Sequence, residues 1–429
     1  MNITDADSGT EQAPLRIEAE KPGTVTFSGA PPLRLTEKDK GRWYFQPEPA
    51  VSSDEARKGG QFFVNDTRAV LAREPDAGKW WFVRGPSKDT LVMSPRDAQR
   101  VRQLLEGEGD RAIVSLMQSW TAGQHRASRI SDKGLLLQPP PRWPTLAFGA
   151  AQRYQVANVS GALNAPGEWL AVDGRIAYIP TAEDQVSAGK GLQAFFPRLS
   201  TLVRIQGQNG QRRVQHVVID GVRFAHTAWL TPLKGWTDTQ AAVDIGAAVE
   251  VDKADHITIR RCEMEHLGGH GIWLREKVTQ SEISGCKMTD LGAGGIKIGQ
   301  PLSNGTGQNM VRDNLIMYTG QDHPGAVAVW VGRSGGNRIE QNVIAHTSYS
   351  GISVGWQWGY ESQDADDNRI DGNVLLDIGR GQMSDLGAIY TLGPGKGTAI
   401  TGNFIRHVDD YAEYGAGAGA STTTKAPAR

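Results

Sequence analysis

From about Val214 onward, apolar and polar residues alternate in short runs that recur along the chain. The segments VVIDGVRF, ITIRRCEM, SEISGCKM, MVRDNLIM, NRIEQNVI, NRIDGNVL and TAITGNFI align on one central position. It is held in turn by Val222, Cys262, Cys286, Asn314, Asn342, Asn373 and Asn403, with steps of 40, 24, 28, 28, 31 and 30 residues. A period of this size marks a solenoid, and alternation with period two makes the repeating element a strand. Helical repeats are disfavoured, because the apolar residues do not recur at three and four and glycine lies inside nearly every unit.

A second short strand follows about ten residues downstream in five units: GIWL (271–274), GIKI (295–298), AVAV (326–329), GISV (351–354) and AIYT (388–391). Short strands separated by Gly, Asn or Asp turns predict an all-β chain folded as a right-handed parallel β-helix. Coils of such a solenoid stack ~4.8 Å apart, so like residues form ladders. Asn314, Asn342, Asn373 and Asn403 are expected to form one, each inward amide bonding backbone and the next coil. Cys262 and Cys286 share the column and are expected as stacked reduced thiols; a disulfide between them would have to meet strict dihedral demands.

The first half follows another pattern. Residues 15–30 alternate on either side of Pro22-Gly23 and read as an opening coil. From 42 to 200 the repeat is lost and Trp, Pro and mixed charge take over. QFFVNDTRAVLARE, RAIVSLMQSW and GLLLQ are candidate strands there, and PGEWLAVDGRIAYIP is a hairpin turning at Asp173-Gly174. The expected organisation is an opening coil over 1–41, an inserted β-sandwich-like module over 42–200, the β-helix over 201–414, and a low-complexity tail over 415–429.

Alternation also orients the downstream strands. Ile272, Ile296, Val327, Ile352 and Ile389 are expected inward, which turns Trp273, Lys297, Ala328, Ser353 and Tyr390 outward along one row. That row is a candidate groove for an oligosaccharide or polysaccharide, against the alternative of an ordinary solvated face. Three of the five coils reach the inward residue in ten residues, but the Asn314 coil takes 13, accommodating Asp322, His323 and Pro324, and the Asn373 coil takes 16, accommodating RGQMSD. Lengthened turns on one rim are where solenoids carry function, and they place His323 and Asp385 two coils apart. GWQWGYE adds Trp356, Trp358, Tyr360 and Glu361. Two tryptophans one residue apart in a Gly-flanked loop do not both fit a coil interior, and an exposed indole suits the apolar face of a sugar. His270, in HGIWLRE, is a candidate polar contact, although a lone rim histidine is more often a loop residue.

Composition narrows the partners. With 46 basic and 47 acidic residues the net charge is −1, which demotes nucleic acid and anionic membrane as partners. No run approaches the ~18 apolar residues of a membrane span. Asp5 and Asp7 stand where an export signal would carry positive charge, so no signal is visible. The two cysteines lack a CxxC metal spacing, and no metal or cofactor is indicated. The 52 glycines and a hydrophobic content of only 39% suit a turn-rich solenoid.

The stretch GRGQMSDLGAIYTLGPGKGTAITGNFIRHV, with GWQWGYE before it, resembles the right-handed parallel β-helix glycoside hydrolases of family 141 and, more distantly, family 120. DADSGTEQAPLRIEAEKPGTVTFSGA, QFFVNDTRAVLARE and NAPGEWLAVDGRIAYIP are similar to the N-terminal region of that family with its inserted β-sandwich. The resemblance implies hydrolysis of glycosidic bonds in complex plant-type polysaccharides by two carboxylates, in a secreted or periplasmic protein; a monomer is expected. Fucosidase and xylanase activities are known in the family. Carried over to Ser384-Asp385-Leu386-Gly387, it makes Asp385 one of the two acids. The second acid of the family lies about one coil downstream, where this chain reads AGAGASTTTKAPAR. Shifted by one base, the codons from Gly415 can spell GWGWGLYDDEGSS, so a frameshift near Tyr414 is expected, together with missing coils at the N-terminus. Hydrolysis by the chain as written is expected to be weak or absent. The rival readings are a pectate-type polysaccharide lyase, which would need an acidic calcium cluster, and a non-catalytic glycan-binding β-helix.

Overall fold

The computed structural model describes residues 1–187, 191–208, 212–302, 305–414, 418–419 and 423–425. Three parallel sheets wind into a solenoid, each new coil adding one strand to each sheet. The second sheet runs through Leu15–Glu18, Val214–Asp220, Ala254–Arg260, Glu282–Ser284, Met310–Arg312, Arg338–Glu340, Arg369–Asp371 and Ala399–Thr401. Its inward column reads Ile17, Ile219, Ile259, Ile283, Val311, Ile339, Ile370 and Ile400 in register. β-Branched side chains fit this pleated, stacked surface, and their burial is the main driving force for adding a coil. Columns from all three sheets merge into one apolar core running the length of the solenoid.

Corners between the second and third sheets explain the repeat. The residue before each ladder position has a left-handed backbone: Gly221, Arg261, Gly285, Asp313, Gln341, Gly372 and Gly402 have φ between 51° and 69°. The chain turns there within one residue, and the next residue points inward. Asn314, Asn342, Asn373 and Asn403 do so as a ladder, each carboxamide oxygen accepting from the amide of the coil before it at 2.9 Å. Cys262 and Cys286 occupy the same column as buried free thiols, and the Cys286 N–H donates to Asn314 Oδ1 (2.9 Å). A second ladder, absent from the expectations above, lines the corner before the second sheet: Asn337 N–H donates to Asn368 Oδ1 (3.0 Å) and Asn309 N–H to Asn337 Oδ1 (3.1 Å).

The inserted module interrupts the first coil. Asn2–Thr4, Leu15–Glu18 and Thr26–Ser28 pair with the coil that starts at Val203, so both sides of the insertion belong to the solenoid. The antiparallel structure begins at Arg34–Asp39, paired with Arg42–Gln46, earlier than the boundary at 42. Two antiparallel sheets face each other across a core that includes Val114, Leu116, Leu135, Tyr154, Leu170 and Ala177. The hairpin turns at Asp173 (φ 49°) and Gly174 (φ 77°), a pair of positive φ values that suits the right-handed twist of the strands.

At the C-terminal end, Ala418–Gly419 and Thr423–Lys425 add parallel pairings to Leu386–Gly387 and to Tyr390–Leu392. The rest of the low-complexity tail expected over 415–429 lies outside the described residues. Among the described residues, no helix is long and apolar enough to cross a membrane.

Candidate active site

The outward row of the first sheet is Arg204, Glu250, Trp273, Lys297, Trp330, Ser353 and Tyr390 in register. One assignment shifts: Val329 rather than Val327 pairs with Ile296, so Trp330 stands where Ala328 was expected. The turn through Asp322–Pro324 is two residues longer than the spacing indicated, and Val329 and Val331 take the inward places.

The row is not an open groove. Trp273, Lys297, Trp330, Ser353 and Tyr390 are all buried. The segment that leads from the third sheet into Ala247–Asp252 lies across the row, and the module presses against it from outside. Lys297 is fully enclosed, its ammonium donating to the Val243 carbonyl (2.6 Å) and the Ile245 carbonyl (2.9 Å), and burial holds its pKa well below the usual lysine range. Trp273 lies between the Lys297 and Arg275 cations and donates its indole N–H to the Gly299 carbonyl (2.9 Å). His270 is buried against the same segment, its Nδ1 accepting from the Gly294 N–H (3.0 Å). Lys297 and His270 secure the covering segment, Trp273 is buried beside Lys297, and none of the three offers a surface to a polymer, which corrects the groove expected there.

His323 and Asp322 also depart from the expected rim. His323 is buried edge-on between Trp229 and Trp236, and burial lowers its pKa to about 3, so its ring is neutral. Asp322 receives the Arg68 guanidinium (2.7 Å) and the Gln61 amide (3.1 Å), both from the module. Gly292 makes room for this turn, since a Cβ there would come within 2.8 Å of Asp322 Oδ2.

Asp385 itself sits at a left-handed position (φ 55°) before Leu386–Gly387. Its carbonyl accepts from the Tyr349 hydroxyl (2.7 Å), and Oδ1 of its carboxylate lies 3.5 Å from the Tyr390 hydroxyl. Gln240, from the covering segment, donates to the Tyr349 oxygen (3.2 Å). Burial and the nearby Asp385 charge push the Tyr390 and Tyr349 hydroxyls to high pKa, so both remain proton donors. The module fixes the loop from outside: the Ser384 N–H donates to the Ser119 carbonyl (2.8 Å).

In the coil before, the GWQWGYE loop rises from the end of Ile352–Val354. Trp356 packs edge-on against Trp330 (5.3 Å), and Trp358 packs edge-on against Trp356 (5.0 Å). Trp358 is 58% exposed and Tyr360 61%, and Glu361 is exposed as well. Gln363 anchors the loop, accepting from the Trp356 N–H (2.8 Å) and donating to the Leu392 carbonyl (2.7 Å). Trp330, Ser353 and Tyr390 are consecutive in the row, so the tryptophan steps and Asp385 belong to neighbouring coils: the loop leaves the C-terminal end of Ile352–Val354, and Asp385 precedes the N-terminal end of Ile389–Leu392.

Asp238, Gln240 and Tyr349 were not singled out from the sequence. The signal was present, since the step from Val222 to Cys262 is 40 residues against 24 to 31 elsewhere, and the excess is the covering segment. Asp238 is buried there with its pKa raised to about 7 by desolvation. Among the described residues, no group of three or more His, Cys, Asp or Glu side chains is placed to hold a metal ion.

A family model described as "Right handed beta helix region" matches residues 240–405. No curated protein matches the chain. Among solved structures, one titled "Glycoside hydrolase" superposes with a TM-score of 0.82 at 22% identity, over 94% of this chain and 77% of that one. A complex of XylC with xylose gives 0.48 at 10% identity, over 94% and 58% of the two chains. An alginate lyase from Paenibacillus gives 0.28 at 11%, over 49% and 77%. The chain is a right-handed parallel β-helix protein.

Proposed function

We propose that this protein is a carbohydrate-active solenoid of the glycoside-hydrolase kind that engages complex plant-type polysaccharides, with Asp385 as one of two required carboxylates. The observation that carries the reading is that Asp385, hydrogen-bonded to Tyr349 and Tyr390, and the exposed Trp358, packed edge-on against the half-buried Trp356, belong to neighbouring coils of one row. Exposed indoles supply the flat apolar platform that a sugar face needs, and the carboxylate supplies a charge for the glycosidic centre.

Hydrolysis in this polypeptide is weak or absent. Glycoside cleavage uses one carboxyl group to protonate the departing oxygen and another as nucleophile or water-activating base. Asp322 is committed to Arg68, and position 423, the register partner of Tyr390, is a threonine. Non-catalytic glycan binding is the second reading, favoured by the threonine at position 423.

Product release from plant polysaccharides and aryl glycosides tests both. The unaltered chain is expected to give little or no product, Thr423→Glu to raise it, and Asp385→Asn in that background to remove it. Turnover in the unaltered chain that vanishes in Asp385→Asn would refute its weakness while upholding the site. Turnover that ignores Asp385→Asn would refute the site.

A further inference from the structure

A crevice of about 470 Å³ runs between the module and the rim turns of the solenoid, and it ends at Gln382, three residues before Asp385. The module supplies Arg73, Trp80, Ser115, Gln124 and Arg153, and the solenoid supplies Asp322 and Arg380 among others. The charge here is one-sided. Asp322 is the sole carboxylate of the lining and already holds Arg68.

Arg73 is the unusual member. Among the described residues it forms no ion pair, and its Nε is sealed from solvent without an acceptor. Glu168 and Asp322 draw on its charge from a distance, but burial outweighs them and lowers its pKa. Glu168 is occupied by backbone, accepting from the Asn164 and Ala165 N–H groups (3.0 Å each). A desolvated guanidinium without a paired carboxylate is costly to keep, and the cost is offset when an anion arrives. Arg380 stands exposed at the mouth, and Arg153 lies over the rings of Trp80 and Tyr411 (5.1 and 3.7 Å).

We propose that this crevice is a subsite for an acidic sugar, whose carboxylate is received by Arg73 while its ring lies in the polar cleft beside Trp80. A guanidinium fork matches a carboxylate with two parallel N–H···O bonds, and neutral donors such as Ser115 and Gln124 suit sugar hydroxyls. Substrate preference then falls on uronate-bearing glycans. The inference rests on the carbohydrate reading above and names the class of sugar that the reading leaves open.

Calorimetric titration of the full chain at low salt with trigalacturonic acid and with neutral xylotriose tests it. The acidic trimer is expected to bind about tenfold or more tighter, with added salt weakening it selectively. Arg73→Met should abolish the preference, leave the neutral trimer within about twofold, and raise the thermal midpoint, because it removes a buried unpaired charge. Arg380→Ala, at an exposed position, should weaken the acidic trimer by about threefold and serves if Arg73→Met fails to fold. Equal affinity for the two trimers, or an acid preference that survives both substitutions, would overturn the acidic subsite and leave the carbohydrate reading standing. Binding of neither trimer would overturn both.

Discussion

Asn342 illustrates how one side chain holds three coils together. Its Oδ1 accepts from the backbone and side-chain amides of Asn314, and its Nδ2 donates to the Val311 carbonyl (3.0 Å) and to Asn373 Oδ1 (2.9 Å). A buried amide group left without a partner costs about 1 to 3 kcal/mol, so Asn342→Ala, which strands groups on both neighbours, should lose on the order of 3 kcal/mol. The urea midpoint reports this, and a shift close to zero would deny the ladder a structural role. This ladder was legible because its residues sit at a fixed place in each repeat. The second ladder is equally written, since NMVRDN, NRIEQN and NRIDGN each open with asparagine five residues earlier. His323 was misread for a different reason. Sequence spacing places a residue on a rim, whereas its burial comes from Trp229 and Trp236, almost a hundred residues away.

The same reason explains why the outward row was taken for a groove. Alternation identifies which face a strand residue occupies, but not which other element lies on that face. Here the covering segment packs Ala241 and Val243 with Trp330 and Tyr349, while Met117 and Ala122 of the module close over them. Arg68 is the main link of the module to the solenoid turns. It donates to Asp290 (2.8 Å), Asp322 (2.7 Å) and the carbonyls of Leu267 (2.8 Å) and Asp290 (2.9 Å), and its side chain is only 13% exposed. Removing one partner from a largely buried ion pair costs about 3 to 5 kcal/mol, much of it from the charges left behind. Arg68→Met should therefore lower the thermal midpoint clearly and loosen the junction, read as faster proteolysis between module and solenoid. An unchanged midpoint would mean that the module is held by its apolar contacts alone.

Across the whole molecule, the buried titratable groups set a pH dependence. Burial depresses His125 to about 4, His226 and His323 to about 3, and His270 well below 6.5. Their folded pKa values lie below the unfolded ones, so the stability linked to them is complete above about 6.5 and is lost as pH falls towards 3. Asp238 runs the other way: its pKa, raised to about 7 from 3.8, gives a contribution present at low pH and lost as pH rises through 7. Burial raises Glu168, Asp252 and Asp322 in the same direction as Asp238, but the four histidines, whose ordinary value lies inside this range, outweigh these acids, so the thermal midpoint should fall from pH 6.5 to pH 4. Asp238→Asn should gain on the unaltered chain progressively between pH 4 and 7, and a constant gap would contradict the buried acid.

At the same scale, a glycan is expected on the coils that carry the tryptophan steps and Asp385. Calorimetric titration of plant-polysaccharide oligosaccharides into the unaltered chain and into Trp358→Ala tests it most directly, because Trp358 is exposed and its loss does not disturb the core. The account predicts saturable binding by the unaltered chain that Trp358→Ala weakens about tenfold, near 1.4 kcal/mol. Saturable binding of the same strength in both proteins would contradict it.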